Sequence, residues 1–213
     1  MKIRVVITIL LATIVSVAKA QNKDSALVTS VFDQYKNAVQ TNDGEKAYYL
    51  IDSNTVHWYA EMLELIKTAD SSTVSNLNLN DKLTVLVSRQ AISPDLLNNF
   101  STREFIEYSL NKSKGTINSG SAVQLGTIDI DNGIAKAKVQ ATPQGDSIVM
   151  IFRFQNNSWK LDLTSIFDAS SLLIKKMITD IGISEDEYAL YVLEQFSGIK
   201  PSNEVWHPTT KKP

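Results

Sequence analysis

Apolar residues recur at helical spacing through the first half of the chain, alternate in strand fashion through its middle, and return to helical spacing near its end. Across residues 24–40 they fall at Leu27, Val31, Phe32, Tyr35, Ala38 and Val39, which predicts a helix. Asn42-Asp43-Gly44 stops it. A short aromatic segment covers 45–51, and Asp52-Ser53-Asn54 offers caps for a third helix over 55–69. That helix buries Val56, Tyr59, Met62, Leu63, Leu65 and Ile66 and turns His57, Glu61 and Glu64 to water. The polar stretch 70–80 reads as loop, and 81–91 as a helix carrying Leu83, Leu86 and Val87. Ser93-Pro94-Asp95 opens another helix, because a proline at the first helical position loses no internal hydrogen bond. Ser101-Thr102-Arg103-Glu104 is a capping box for a helix ending near Asn111, with Gly115 closing the segment.

Residues 122–163 read as four strands joined by three tight turns, which is an antiparallel meander. The strands are 122–130, 134–141, 147–155 and 158–163. The turns are Asp131-Asn132-Gly133, Pro143-Gln144-Gly145-Asp146 and Asn156-Asn157. In the second strand Ala135, Ala137, Val139 and Ala141 oppose Lys136, Lys138 and Gln140, so one face is wet. The third strand is apolar on both faces and is expected to be covered on both. Two helices follow, one over 164–181 closed by Gly182 and one opened by the capping box Ser184-Glu185-Asp186-Glu187 and closed by Gly198. The predicted fold class is α+β: helices packed on a curved four-stranded antiparallel meander, with extra C-terminal helices. Residues 21–198 form the single domain, and 199–213, rich in Pro, Thr and Lys, are expected to be a mobile tail.

The beginning of the chain changes the picture of compartment. Lys2 and Arg4 precede an apolar run over 5–17, and Ala18-Lys19-Ala20 is the small-x-small pattern that a signal peptidase reads. Residues 1–20 are therefore expected to be a signal peptide, with a periplasmic or secreted mature protein and no transmembrane segment after cleavage. Removal of Lys2, Arg4 and Lys19 takes the formal net charge from -2 to -5. An acidic surface disfavours nucleic acid and anionic headgroups. Cysteine is absent, which excludes a disulfide framework and thiol chemistry and leaves the hydrophobic core to hold the domain. Asn99, Asn111 and Asn156 each begin a glycosylation-acceptor triplet, a pattern short enough to arise by chance, and are read as unused.

Two stretches carry a family likeness. One is Val31-Phe32-Asp33-Gln34-Tyr35 followed by Asn42-Asp43-Gly44-Glu45-Lys46-Ala47. The other is Phe152-Arg153-Phe154-Gln155-Asn156-Asn157-Ser158-Trp159-Lys160-Leu161-Asp162-Leu163. Helices first, then a meander ending in a Trp-Lys-apolar strand, resembles the nuclear-transport-factor-two-like superfamily of cone-shaped domains, over about residues 24–163. Extra helices over 70–114 and after Leu163 depart from that pattern. The resemblance implies a hydrophobic space between helices and sheet, used by some members for isomerase or dehydratase chemistry with an Asp or His and by others only to bind. Fold alone does not decide between those uses.

The candidate site residues follow from that frame. Trp58, Tyr59, Phe152, Phe154 and Trp159 are the large aromatics placed to line a ligand pocket, with core packing as the alternative for each. Asp162, if sealed in such a cone, would have a raised pKa and would move protons with His57 or Arg153 as its partner, if the fold brings them together; more simply, Lys160 and Asp162 form the wet face of the last strand. His57, Glu61 and Glu64 share a helix face at metal-ligand spacing but lack a third strong ligand, so no metal or other cofactor is expected. Tyr188, Tyr191, Phe196 and Trp206 offer either a docking surface or a packed helix. No nucleophile elbow, phosphate loop, dinucleotide fingerprint or H-E-x-x-H occurs. The expected function is an exported, non-catalytic binding protein for a small apolar ligand or an envelope protein partner. The alternatives are a ketosteroid-isomerase-like or dehydratase-like enzyme using Asp162 with His57, and a protein-interaction module working through the C-terminal helix.

Overall fold

The computed structural model describes residues 23–112, 124–140 and 147–210. The expected signal peptide, the Gly115 stop, the Pro143–Asp146 turn, the start of the first strand and residues 211–213 lie outside the described residues.

Helix α1 occupies 23–40. It is followed by α2 (Gly44–Tyr48), α3 (Ser53–Thr68), α4 (Ser71–Ser75), α5 (Leu79–Ala91), α6 (Pro94–Asn99) and α7 (Thr102–Lys112). Strands β1 (Ile128–Asp131), β2 (Ile134–Gln140), β3 (Ser147–Gln155) and β4 (Ser158–Asp162) form one antiparallel sheet in sequence order. Helices α8 (Thr164–Ile181) and α9 (Glu185–Ser197) and a 3-10 turn (Asn203–Trp206) complete the described chain. The fold is α+β, with helices both before and after the meander. Among the described residues no helix is long and apolar enough to cross a membrane.

Local chemistry sets most of the boundaries. Asp52 caps α3 by accepting from the Thr55 N–H, and Asp70, Asn78 and Ser93 do the same for α4, α5 and α6. Asp70 thereby starts a helical turn, α4, in a stretch expected to be loop. Both capping boxes form: Ser101 with Glu104 and Ser184 with Glu187. The hairpins at Asn132-Gly133 and Asn156-Asn157 hold all four residues at positive φ, as two-residue loops between right-twisted strands require.

One face of the sheet belongs to the core. Ala135, Ala137, Val139, Met150, Phe152, Trp159 and Leu161 are buried there together with Val28, Phe32 and Val39 of α1 and Tyr59, Met62, Leu63 and Ile66 of α3. Each fully buried Leu or Phe contributes about 1.5–3 kcal/mol, so this interlayer packing dominates the stability of the domain. Side chains of both layers thus meet between helices and sheet. The opposite face is less covered than the apolar pattern of β3 suggests: Val149 is 40 % exposed, and Lys136 and Lys138 point to water. Helix α8 packs along β3. Its start is tied to the end of β4: the Ile151 N–H donates to the Ser165 hydroxyl (3.1 Å), which itself donates to the Asp162 carbonyl (2.6 Å).

The far edge of β4 is also occupied. The Asp52 N–H donates to the Leu161 carbonyl (3.0 Å) and the Leu161 N–H to the Leu50 carbonyl (2.8 Å), so Ile51 pairs with Leu161 in parallel. This bridge joins the α2–α3 junction to the sheet.

Several residues within 199–210, part of the segment expected to be a mobile tail, make contacts with the helices. Val205 is buried, and Trp206 packs against the core. The Thr210 N–H and hydroxyl both donate to the Lys67 carbonyl (3.2 and 2.7 Å), and the Thr209 hydroxyl donates to Asn98 (3.1 Å). These anchoring residues are few, and the groups they meet belong to helices far away in sequence.

Candidate functional site

One open space among the described residues lies between helices. Its volume is about 540 Å³. Helix α3 contributes Trp58 and Tyr59, α5 contributes Leu83, Thr84, Val87, Ser88, Ala91 and Ile92 follows it, α7 contributes Tyr108, Ser109 and Lys112, α8 contributes Phe167, and α9 contributes Phe196.

Helical geometry explains the walls. On α3, Tyr59 heads a buried stripe with Met62, Leu63 and Ile66, while Trp58 sits about 100° away and faces α5 and α8. On α5, one stripe containing Val85, Leu86 and Arg89 is sunk in the core. The neighbouring stripe, Thr84, Val87, Ser88 and Ala91, is left to line the cavity. Trp58 is fixed at both ends. Its indole N–H donates to Asp81 Oδ1 (2.9 Å), and its ring meets Phe167 at 4.7 Å and Tyr59 at 4.9 Å between centroids. Tyr59 meets Phe105 edge to face at 5.9 Å. Such pairs add about 0.5–1.5 kcal/mol each beyond area burial and so stabilise this wall. Burial holds the Tyr59 hydroxyl well above its ordinary pKa, and it stays neutral in the physiological range.

No family model matches this chain, and no curated protein or solved structure is significantly similar to it.

Of the five aromatics placed as pocket residues, Trp58 and Tyr59 line the cavity. Phe152 and Trp159 are buried core, and Phe154, 47 % exposed, meets Trp159 edge to face at the hairpin end of the sheet. The missed lining residues Leu83, Val87, Tyr108, Phe167 and Phe196 all sit at helical apolar positions. The width of the apolar band on α5 was the one available signal.

The carboxylate expectations need correction. Asp162 does not belong to a wet strand face, since it is 2 % exposed. Nor does it meet His57, whose side chain is 76 % exposed and bound to Glu61 at 3.2 Å on the outer face of α3. The acid-base pair is therefore not assembled. Asp162 instead lies with Asp52 around Arg153. Arg153 Nε is 3.2 Å from Asp162 Oδ2 and 3.4 Å from Asp52 Oδ2. The remaining oxygens take backbone N–H groups: Asp52 Oδ1 caps α3 by accepting from the Thr55 N–H (2.9 Å), and Asp162 Oδ1 accepts from the Thr164 N–H (3.1 Å). Two buried carboxylates thus share one guanidinium at the point where α3, β4 and α8 begin or end. Burial pushes the Asp52 carboxyl above its ordinary value; the Thr55 N–H opposes this and the Asp162 charge reinforces it. Among the described residues no group of three His, Cys, Asp or Glu side chains is placed to hold a metal.

This cluster predicts a pH effect. Because the folded pKa of Asp52 lies above the unfolded one, folding takes up a proton between the two values, and the cost of the Asp52 charge is present at neutral pH and relieved as pH falls. Arg153→Met removes the shared cation and should destabilise the protein by about 2 kcal/mol at neutral pH, below the usual loss for a broken buried pair because Arg153 is partly exposed. Part of the loss should return toward pH 5. Urea midpoints of both proteins at the two pH values test this; equal stability, or a loss that deepens in acid, would contradict the shared-cation arrangement.

The docking-surface residues divide. Ala189 and Leu193 bury one face of α9, on the side that packs against α5, while Tyr191 and Phe196 are exposed. Lys82, buried on α5, pairs with Asp186 and pins the start of α9.

Proposed function

We propose that this protein is an exported, non-catalytic binder of a small apolar ligand, held in the cavity between α3, α5, α7, α8 and α9. The observation that carries the reading is the cavity itself: about 540 Å³, within the range of small-molecule sites, walled by aromatic and aliphatic side chains with a few hydroxyls. No carboxylate or imidazole occurs among the described lining residues, which favours binding over proton-transfer chemistry. Export rests on the basic start, apolar run and Ala18-Lys19-Ala20 pattern, and is tested by the N-terminus of the mature protein recovered from its host.

Thermal shift against a panel of small hydrophobic compounds tests the binding. A ligand at a hundredfold excess over its Kd should add about 2.7 kcal/mol. Val87→Trp, which fills the cavity from α5, should keep the fold and lose the shift. The reading fails if no apolar compound stabilises the protein, or if the filled variant responds as the wild type does.

A further inference from the structure

The cavity carries a formal charge at one place among its described lining residues. Tyr59, Ser88 and Ile92 are buried and make its floor, while Phe196 and Lys112 are exposed and stand at its mouth. Lys112 is the one charged side chain among the described lining residues, and none of them is acidic. Its ammonium lies 5.5 Å from the centroid of the Tyr108 ring, itself a wall of the cavity, so a cation–π contact holds the charge at the rim. The chain as a whole is acidic, so this positive mouth is a local feature rather than part of a basic surface.

We infer that the ligand is a single-tailed amphiphile with an anionic head, its alkyl chain against the buried floor and its carboxylate or phosphate at Lys112. This rests on the cavity being the binding site, and it specifies polarity and orientation. An uncharged apolar molecule would leave the ammonium unused, and a cationic head would be repelled by it. Affinity should rise roughly fourfold per added methylene until the floor is filled, as burial of each methylene from water requires.

Calorimetric titration of the whole protein with decanoate, decyl phosphate, decanol and decyltrimethylammonium separates the possibilities. At least one of the two anions should bind tenfold or more tightly than decanol, and the better anion identifies the head group. Decyltrimethylammonium should bind most weakly. Lys112→Gln, at an exposed helix end, should bring the anions down to the level of decanol and leave decanol unchanged. Equal binding of anion and alcohol, or anion binding unaltered in Lys112→Gln, would overturn the inference while the cavity reading stood. Absence of binding by every compound, with Val87→Trp behaving as wild type, would instead remove the cavity reading itself.

Discussion

Replacing Arg89 with methionine should cost about 4 kcal/mol, among the larger losses a single substitution produces. Arg89 lies in the buried stripe of α5 and is only 9 % exposed. It meets carbonyls rather than a carboxylate. Its Nε donates to Ile66 O (2.9 Å), Nη2 to Leu65 O (3.0 Å) and Ala69 O (2.7 Å), and Nη1 to Val205 O (3.3 Å). Leu65 and Ile66 belong to the last turn of α3 and Ala69 is its C-cap, so the guanidinium sits at the negative end of the helix dipole; the Leu65 carbonyl also accepts the Ala69 N–H (2.9 Å). One guanidinium thus closes a helix and ties down the C-terminal segment. Burial draws its pKa down to about 10, so it remains charged at neutral pH. Methionine keeps much of the stem and removes every donor, leaving buried acceptors unsatisfied at about 1–3 kcal/mol each before relaxation. Denaturant unfolding measures the loss, and hydrogen exchange should show faster opening around residues 203–206. Arg89→Lys should restore only part, because an ammonium cannot span the fork. A loss near zero in the methionine variant would mean that water replaces the guanidinium and that α3 needs no such cap.

Gly44→Ala should lower the stability by about 3 kcal/mol, at the top of the range for overpacking. The backbone of Gly44 touches α7: a Cβ there would lie 2.4 Å from the Glu107 carbonyl oxygen and 2.9 Å from Asn111 Oδ1. Neither can yield cheaply. The Glu107 oxygen is helix backbone, and Asn111 accepts the Gly44 N–H at 2.7 Å. Alanine must therefore move α2 off α7, and the melting temperature should fall by roughly 6–12 °C. The flexible residue of this turn is a different one. Asn42 holds φ 56, so Asn42→Gly should be tolerated. If Gly44→Ala melts with the wild type, the α2–α7 approach is softer than the geometry implies.

These two residues show what a linear pattern reveals and what it hides. Asn42-Asp43-Gly44 is legible as a helix stop, yet the reason for glycine is a neighbour 63 positions later, Glu107. Capping boxes, Asn-rich hairpins and the two left-handed glycines that end α8 and α9 are local and were readable, because each is satisfied within a few residues. The alternation of β2 was readable for the same reason. Asp162 was not. Alternation placed it opposite Trp159, which is correct, but its burial depends on Asp52 and Arg153 converging from two other segments. The cavity was half legible. Trp58 and Tyr59 stand out as aromatics, whereas Tyr108, Phe167 and Phe196 become a wall only when α7, α8 and α9 meet α3 and α5. Periodicity identifies the apolar face of a helix and says nothing about which neighbour leaves it uncovered.

The parallel bridge at Ile51 has a consequence for solubility. A bare strand border invites another copy of the same chain to add itself by backbone hydrogen bonding. With Leu50 and Asp52 already bonded to Leu161, that invitation is withdrawn beside β4. At the opposite border stands β1, only four residues long, with Asp129 and Asp131 both exposed. Neighbouring copies attempting to zip together there would bring like charges into register, so the sheet is guarded at both margins against growing into a fibril.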